Sequence, residues 1–139
     1  MSITNEMYKR MKSISSITSF LLLSMLGMAQ SPVEVVQKQL DTYNAQDIEA
    51  FSATFHEDAQ IFMNLGDADA AMSGRAQIKE SYGKMFTKNP SNRSTLIGRM
   101  VQGNFVFDHE WIKGRDKEFK IVAIYEVEAG LIKRAWFAR

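Results

Sequence analysis

Phe105-Val106-Phe107-Asp108-His109-Glu110-Trp111-Ile112-Lys113, closed by Gly114-Arg115-Asp116, decides the fold. Rich in aromatic and β-branched residues and bounded by a turn signal, it predicts a strand over 105–113. Alternation splits it into two faces. Phe105, Phe107, His109 and Trp111 share one; Val106, Asp108, Glu110 and Ile112 share the other. Comparable runs lie on either side. Residues 94–101 predict a strand closed by Gly103-Asn104, 118–127 one closed by Ala129-Gly130, and 131–138 a last one. Four such runs joined by glycine-containing turns imply an antiparallel meander.

Upstream the period changes. Val33, Val36, Leu40 and Tyr43 recur at helical spacing, which predicts a helix over 32–44. Asp47 can cap a second helix with Ile48, Phe51 and Phe55 on its apolar face, ended at Glu57 and Asp58. Residues 59–64 read as a strand, and Gly66-Asp67-Ala68-Asp69 as a loop. Ser73-Gly74 precedes a third helix with Ile78, Tyr82 and Met85 or Phe86 on one side. Helices first and sheet last predict an α+β fold: three N-terminal helices packed on one face of a curved, mainly antiparallel sheet. The 119–127 strand is apolar on both faces at its centre, and three short helices can cover only one. The second face is expected to meet an identical subunit, unless a terminal segment or the loop 65–74 folds over it.

The chain has 139 residues, which favours one domain, and 45% hydrophobic with 24% charged residues is a globular composition. Lys9, Arg10 and Lys12 against Glu6 give the first 29 residues a net +2; the whole chain carries +1, which leaves −1 for the rest. A near-neutral domain without a basic stripe is not expected to bind nucleic acid. The absence of cysteine excludes disulfides, thiolate metal sites and cysteine nucleophiles.

Those basic residues precede an apolar stretch over 14–28, densest at Phe20-Leu21-Leu22-Leu23, and small residues follow at Gly27 and Ala29. This is the layout of a cleavable export signal over 1–29, with a cut before Gln30. The stretch is short and serine-rich for a membrane span, so none is expected after cleavage. The expected location is periplasmic or secreted. Ser31-Pro32-Val33-Glu34 reads as a capping box with proline at the first helical position, so a folded domain over 30–139 begins where the signal ends.

Tyr43-Asn44-Ala45-Gln46-Asp47-Ile48-Glu49-Ala50-Phe51, then Phe55-His56-Glu57-Asp58-Ala59, resembles the helix-helix-strand opening of nuclear transport factor 2-like proteins, among them the SnoaL-like cyclases and ketosteroid isomerases. Ser73-Gly74-Arg75-Ala76-Gln77-Ile78 and the ending around Ala135-Trp136-Phe137 fit as well, so the resemblance covers 32–139. It implies a cone with a deep pocket at the open end, and dimers through the outer sheet face. Alignment on Asn44-Ala45-x-Asp47 puts the isomerases' tyrosine and two aspartates near Gln39, Met63 and Ala123, none of which carries the required group. Isomerase chemistry of that type is therefore not expected.

His109 shares its face with Phe105, Phe107 and Trp111. If that face lines the pocket, His109 is an ionisable group in apolar surroundings: a general base, or a core histidine satisfied by one hydrogen bond. Asp108 and Glu110 lie on the other face. They suit acid–base work, as in epoxide-opening relatives, only if that face is inward with an arginine beside it; otherwise a cross-strand link to Lys120 is the commoner outcome. Tyr43, Met63, Phe107, Trp111, Tyr125 and Trp136 are candidates to line a pocket for a small hydrophobic molecule, or are simply core. No spacing resembles a metal-ligand set, and no cofactor is implied. Two classes remain: an apolar binding domain, or a cofactor-independent isomerase, cyclase or hydrolase using His109.

Overall fold

The computed structural model describes residues 29–139; the expected export signal over 1–29, all but its last residue, lies outside the described residues. Helix α1 spans Pro32–Ala45. Ser31 caps it in a full capping box: its Oγ accepts from the Glu34 amide at 3.3 Å, and the Glu34 carboxylate accepts from the Ser31 amide at 2.8 Å. The helix buries Val35, Val36, Gln39, Leu40 and Tyr43, and Gln46 ends it in the left-handed region. Helix α2, Ile48–Ser52, is one short turn capped by Asp47. Strand β1 is Phe55–Phe62, β2 is Met72–Ser73, and helix α3 is Arg75–Lys88. Then follow β3 Arg93–Gln102, β4 Phe105–Lys113, β5 Phe119–Glu128 and β6 Leu131–Ala138.

The six strands form one sheet in the order β2-β1-β6-β5-β4-β3. The last four make the expected antiparallel meander, and β1 joins β6 in parallel. Register shifts at Leu96/Gly98, Glu126/Val127 and Phe55/Gln60 mark bulges. Bulges add local twist, which curls the sheet around the helices. The core is built on Phe51, fully buried, with Tyr43, Phe55, Tyr82 and Phe86 all within 6.0 Å between ring centroids. Burying Phe51 and Phe55 contributes roughly 1.5–3 kcal/mol each.

One boundary differs from the sequence reading. Phe55 fits the helical spacing of Ile48 and Phe51, yet it begins β1, and His56 sits on that strand. The Thr54 carbonyl accepts from the Ile132 amide at 2.9 Å, and Phe55 pairs with Ile132. Pairing with the last strand, some 77 positions away, overrides the local period.

The motif Asn44-Ala45-x-Asp47 has a structural reason. Asn44 Nδ2 donates to the Ser94 carbonyl at 2.8 Å, and its Oδ1 accepts from the Ser94 amide at 2.7 Å. This two-way clamp ties the end of α1 to the start of β3, while Asp47 starts α2 three residues on.

Candidate functional site

The inward face of β4 is the one with carboxylates. Val106, Asp108, Glu110 and Ile112 are buried, while His109 is exposed. The expectation that the aromatic face lines the interior is therefore corrected. Buried charges persist only where they are paired or hydrogen-bonded, and both carboxylates are. Arg99, opposite Asp108 on β3, grips it with two bonds, Nε to Oδ1 at 2.6 Å and Nη2 to Oδ2 at 2.7 Å. Its Nη1 donates to Gln37 on α1 at 2.9 Å. Glu110 accepts from the Ser94 hydroxyl at 2.5 Å and, weakly, from the Tyr125 hydroxyl at 3.4 Å. The alternative link to Lys120 is absent: Lys120 lies opposite Trp111 on the outer face.

Glu110 lines a cavity enclosed by α1, α3 and the inner sheet face. Leu40, Tyr43, Tyr82, Ile112, Ile121 and Phe137 supply apolar wall; Gln39, Glu110 and Arg115 supply polar groups. The cavity is narrow, about 90 Å³, room for roughly three waters. Burial pushes the Glu110 carboxyl up to about 6, with the Asp108 charge adding to the rise and the Ser94 and Tyr125 hydrogen bonds and Arg99 opposing it. Tyr125 and Tyr82 are both raised by burial, so both stay protonated and act as donors rather than bases.

The cavity wall carries a second polar group. The Tyr43 hydroxyl accepts from Asn92 Nδ2 at 2.5 Å and from Arg115 Nη2 at 3.0 Å, and Arg115 Nε donates to Asn92 Oδ1 at 2.7 Å. With two donors on its oxygen, Tyr43 keeps its own proton to donate. Gly114 makes this cluster possible. Its φ is +76°, and a Cβ there would lie 1.8 Å from the Ser91 carbonyl oxygen. Only glycine lets the β4–β5 loop rest on the Ser91-Asn92 backbone with Arg115 in reach of Tyr43.

Of the sequence-derived candidates, Tyr43, Met63 and Tyr125 line the cavity. His109, Phe107, Trp111 and Trp136 lie on the outer face of the sheet, away from it. Trp136 stacks on Phe62 there, at 5.6 Å and 10°. Gln39 and Met63, the positions aligned with isomerase groups, do reach the cavity wall, and Ala123 is buried on the inner face. Sequence reading missed Arg99, Ser94 and Arg115. Arg99 had a signal: a two-residue turn at Gly103-Asn104 pairs Gln102 with Phe105, and counting back places Arg99 opposite Asp108. Among the described residues no group of three or more histidine and carboxylate side chains is placed to hold a metal ion.

A bent, unclosed sheet wrapped on three helices is the architecture of nuclear transport factor 2-like proteins, the class the sequence resemblance implied. The chain belongs to the SnoaL-like domain family, whose model matches residues 36–135. Among solved structures it is similar to an uncharacterized cystatin-fold protein from Novosphingobium aromaticivorans, with 23% identity over 79% of this chain and 99% of that one and a TM-score of 0.73. A candidate polyketide cyclase from Sinorhizobium meliloti matches at 20% identity, over 76% and 94% of the two chains, with a TM-score of 0.66. A candidate ketosteroid isomerase from Kribbella flavida matches at 21%, over 75% and 73%, with a TM-score of 0.63. At these identities the likeness is one of fold. No curated protein matches the sequence.

Proposed function

We propose that this domain binds a small organic molecule in the cavity and moves a proton on it without a cofactor, with Glu110 as the acid–base group. The observation that carries the reading is a carboxyl near pH 6 in the cavity wall, with the Tyr43 hydroxyl as a donor in the same cavity. A base works best when its pKa lies near the working pH. On a ketone, Glu110 takes a proton from the carbon beside the carbonyl. Tyr43 donates to the carbonyl oxygen and stabilises the enolate. Glu110 then returns its proton, to the same carbon or to another conjugated with it. Proton transfer next to a carbonyl also suits the ketosteroid isomerase and polyketide cyclase activities named for two of the structural relatives.

The test is the conversion of 3-cyclohexenone to its conjugated isomer, followed by ultraviolet absorbance. Glu110→Gln is expected to abolish it, and His109→Gln to leave it unchanged. Turnover that survives in the Glu110 variant would sink the assignment. A second reading, a binding domain without catalysis, is favoured by Gln39, Met63 and Ala123, which carry no acid or base where the isomerases have theirs. Binding of cyclohexenone without turnover in the wild type would select it.

Two further expectations belong to the same proposal. The domain works as a homodimer through the outer sheet face, which carries a continuous cross-strand row of Met100, Phe107, Ile124, Trp136 and Phe62. It works outside the cytoplasm after loss of residues 1–29, which mass spectrometry of the mature N-terminus checks directly: the expected product starts at Gln30, and a soluble cytosolic product retaining Met1 overturns it. Among the described residues no helix is long and apolar enough to cross a membrane.

A further inference from the structure

We propose that the ligand is a small organic acid, its carboxylate held at the cavity mouth by Arg115 and its apolar body inside, against Leu40, Ile112 and Ile121. This rests on the cavity reading above and adds the ligand's chemical class.

Arg115 differs from Arg99 and Arg134. Arg99 and Arg134 are matched to Asp108 and Glu126. Arg115 is half-buried, and its contacts are all neutral: Asn92, the Tyr43 hydroxyl and the Met85 sulfur at 3.3 Å. Among the described residues no carboxylate pairs with it, and its Nη1 has no partner. Three contacts hold the group still, so a ligand need not order it, which is where much binding energy is otherwise lost.

Its position is also distinctive. Arg115, Phe119 and Arg139 line both the inner cavity and a wider outer groove that continues to Lys88 and Lys117 on its rim. The Arg139 and Arg115 guanidinium groups lie 4.5 and 5.6 Å from the Phe119 ring. Lys84 in this groove is tied to Glu80, and the groove's own carboxylates are Asp116 and Glu118 against five basic residues. Even with Lys84 neutralised, positive charge is in excess, so the mouth attracts anions. Inside, Glu110 repels them. A carboxylate is therefore held at the mouth while an uncharged body enters. The field inverts along the cavity, and a small acid is the ligand that matches both ends.

The experiment titrates the intact domain with hexanoate, hexanamide and hexylamine at pH 7.5 and low salt, by calorimetry and by NMR shift mapping. Hexanoate is expected to bind about tenfold more tightly than hexanamide, the usual size of one charge-assisted contact. Added salt should shrink that preference, with shifts centred on Tyr43, Ile112 and Arg115. Arg115→Gln should remove the preference. Because that change also strips Tyr43 and Asn92 of a partner, Lys88→Ala/Lys117→Ala is the second variant: it should weaken hexanoate about two- to threefold and leave hexanamide unchanged. Equal binding of acid and amide, tighter binding of the amine, or shifts confined to surface lysines overturns the proposal and leaves the cavity reading standing. Binding by none of the three overturns both.

Discussion

Arg99 and Asp108 face each other across the β3–β4 ladder and meet through two hydrogen bonds of 2.6 and 2.7 Å, with the aspartate side chain 1% exposed and the arginine side chain 13%. Removing one partner of such a pair strands the other charge in the interior. Arg99→Leu is expected to destabilise the domain by about 3–5 kcal/mol. Arg99→Leu with Asp108→Leu should recover most of that loss. Urea unfolding of the three proteins checks both. A single variant as stable as the wild type would show that the pair does not hold the fold.

Glu110 gives a pH dependence of opposite sign to that of an ordinary surface carboxylate. Its pKa rises from 4.5 to about 6 on folding, so between those values the folded state holds the proton and the unfolded state does not. Stability from this group therefore falls as pH rises through that window, and the penalty is complete above pH 6. The shift corresponds to about 2 kcal/mol. Glu110→Gln should match the wild type near pH 4 and exceed it by about that amount at pH 7.5. Denaturant titrations at several pH values measure it; curves that stay parallel across the range would count against a raised carboxyl.

Gly114→Ala tests how the loop carries Arg115. The left-handed backbone alone costs a residue with a Cβ about 1–2 kcal/mol, and contact with the Ser91 carbonyl forces the loop outward as well. Gly103→Ala is the control, since its φ is +59° and nothing lies within 4 Å of its Cβ. The expected result is a modest loss of melting temperature in the Gly103 variant and a larger one in the Gly114 variant, with displacement of the Tyr43 ring resonances in the Gly114 variant only.

Trp136→Glu tests the outer face. Trp136 is half-buried and stacks on Phe62, so within one subunit the change costs about 0.5–1.5 kcal/mol. In a dimer built on that face it places a charge in the apolar row. Sedimentation should show a wild-type dimer and a folded monomeric variant. Two monomers, or two dimers, would remove this face from consideration.

The fold was legible because its signals are local and repeated. The Ser31 capping box, the helical spacing of Val36, Leu40 and Tyr43, and the glycine turns of the meander all act within a few residues. The site was less so, because face choice on β4 is a tertiary matter. Three aromatic residues at 105, 107 and 111 stand on one face and two carboxylates at 108 and 110 on the other, and that contrast pointed inward with the wrong face. What reversed it was compensation from elsewhere in the sequence: Arg99 from β3, Ser94 and Tyr125 from the flanking strands. Arg115 gave no sign at all, since its role depends on Asn92 and Tyr43, brought to it by the loop packing at Gly114. The break of α2 before Phe55 was hidden for the same reason, being imposed by Ile132.

That last pairing has a kinetic consequence. β1 lies beside β6, the final strand of the meander, so the sheet cannot close until residues near 132 have emerged and returned across the chain. Such long-range closure is slow compared with forming helices or hairpins. A nascent chain of this sequence therefore cannot complete its sheet, or bury Phe55 against Ile132, until β6 has been made.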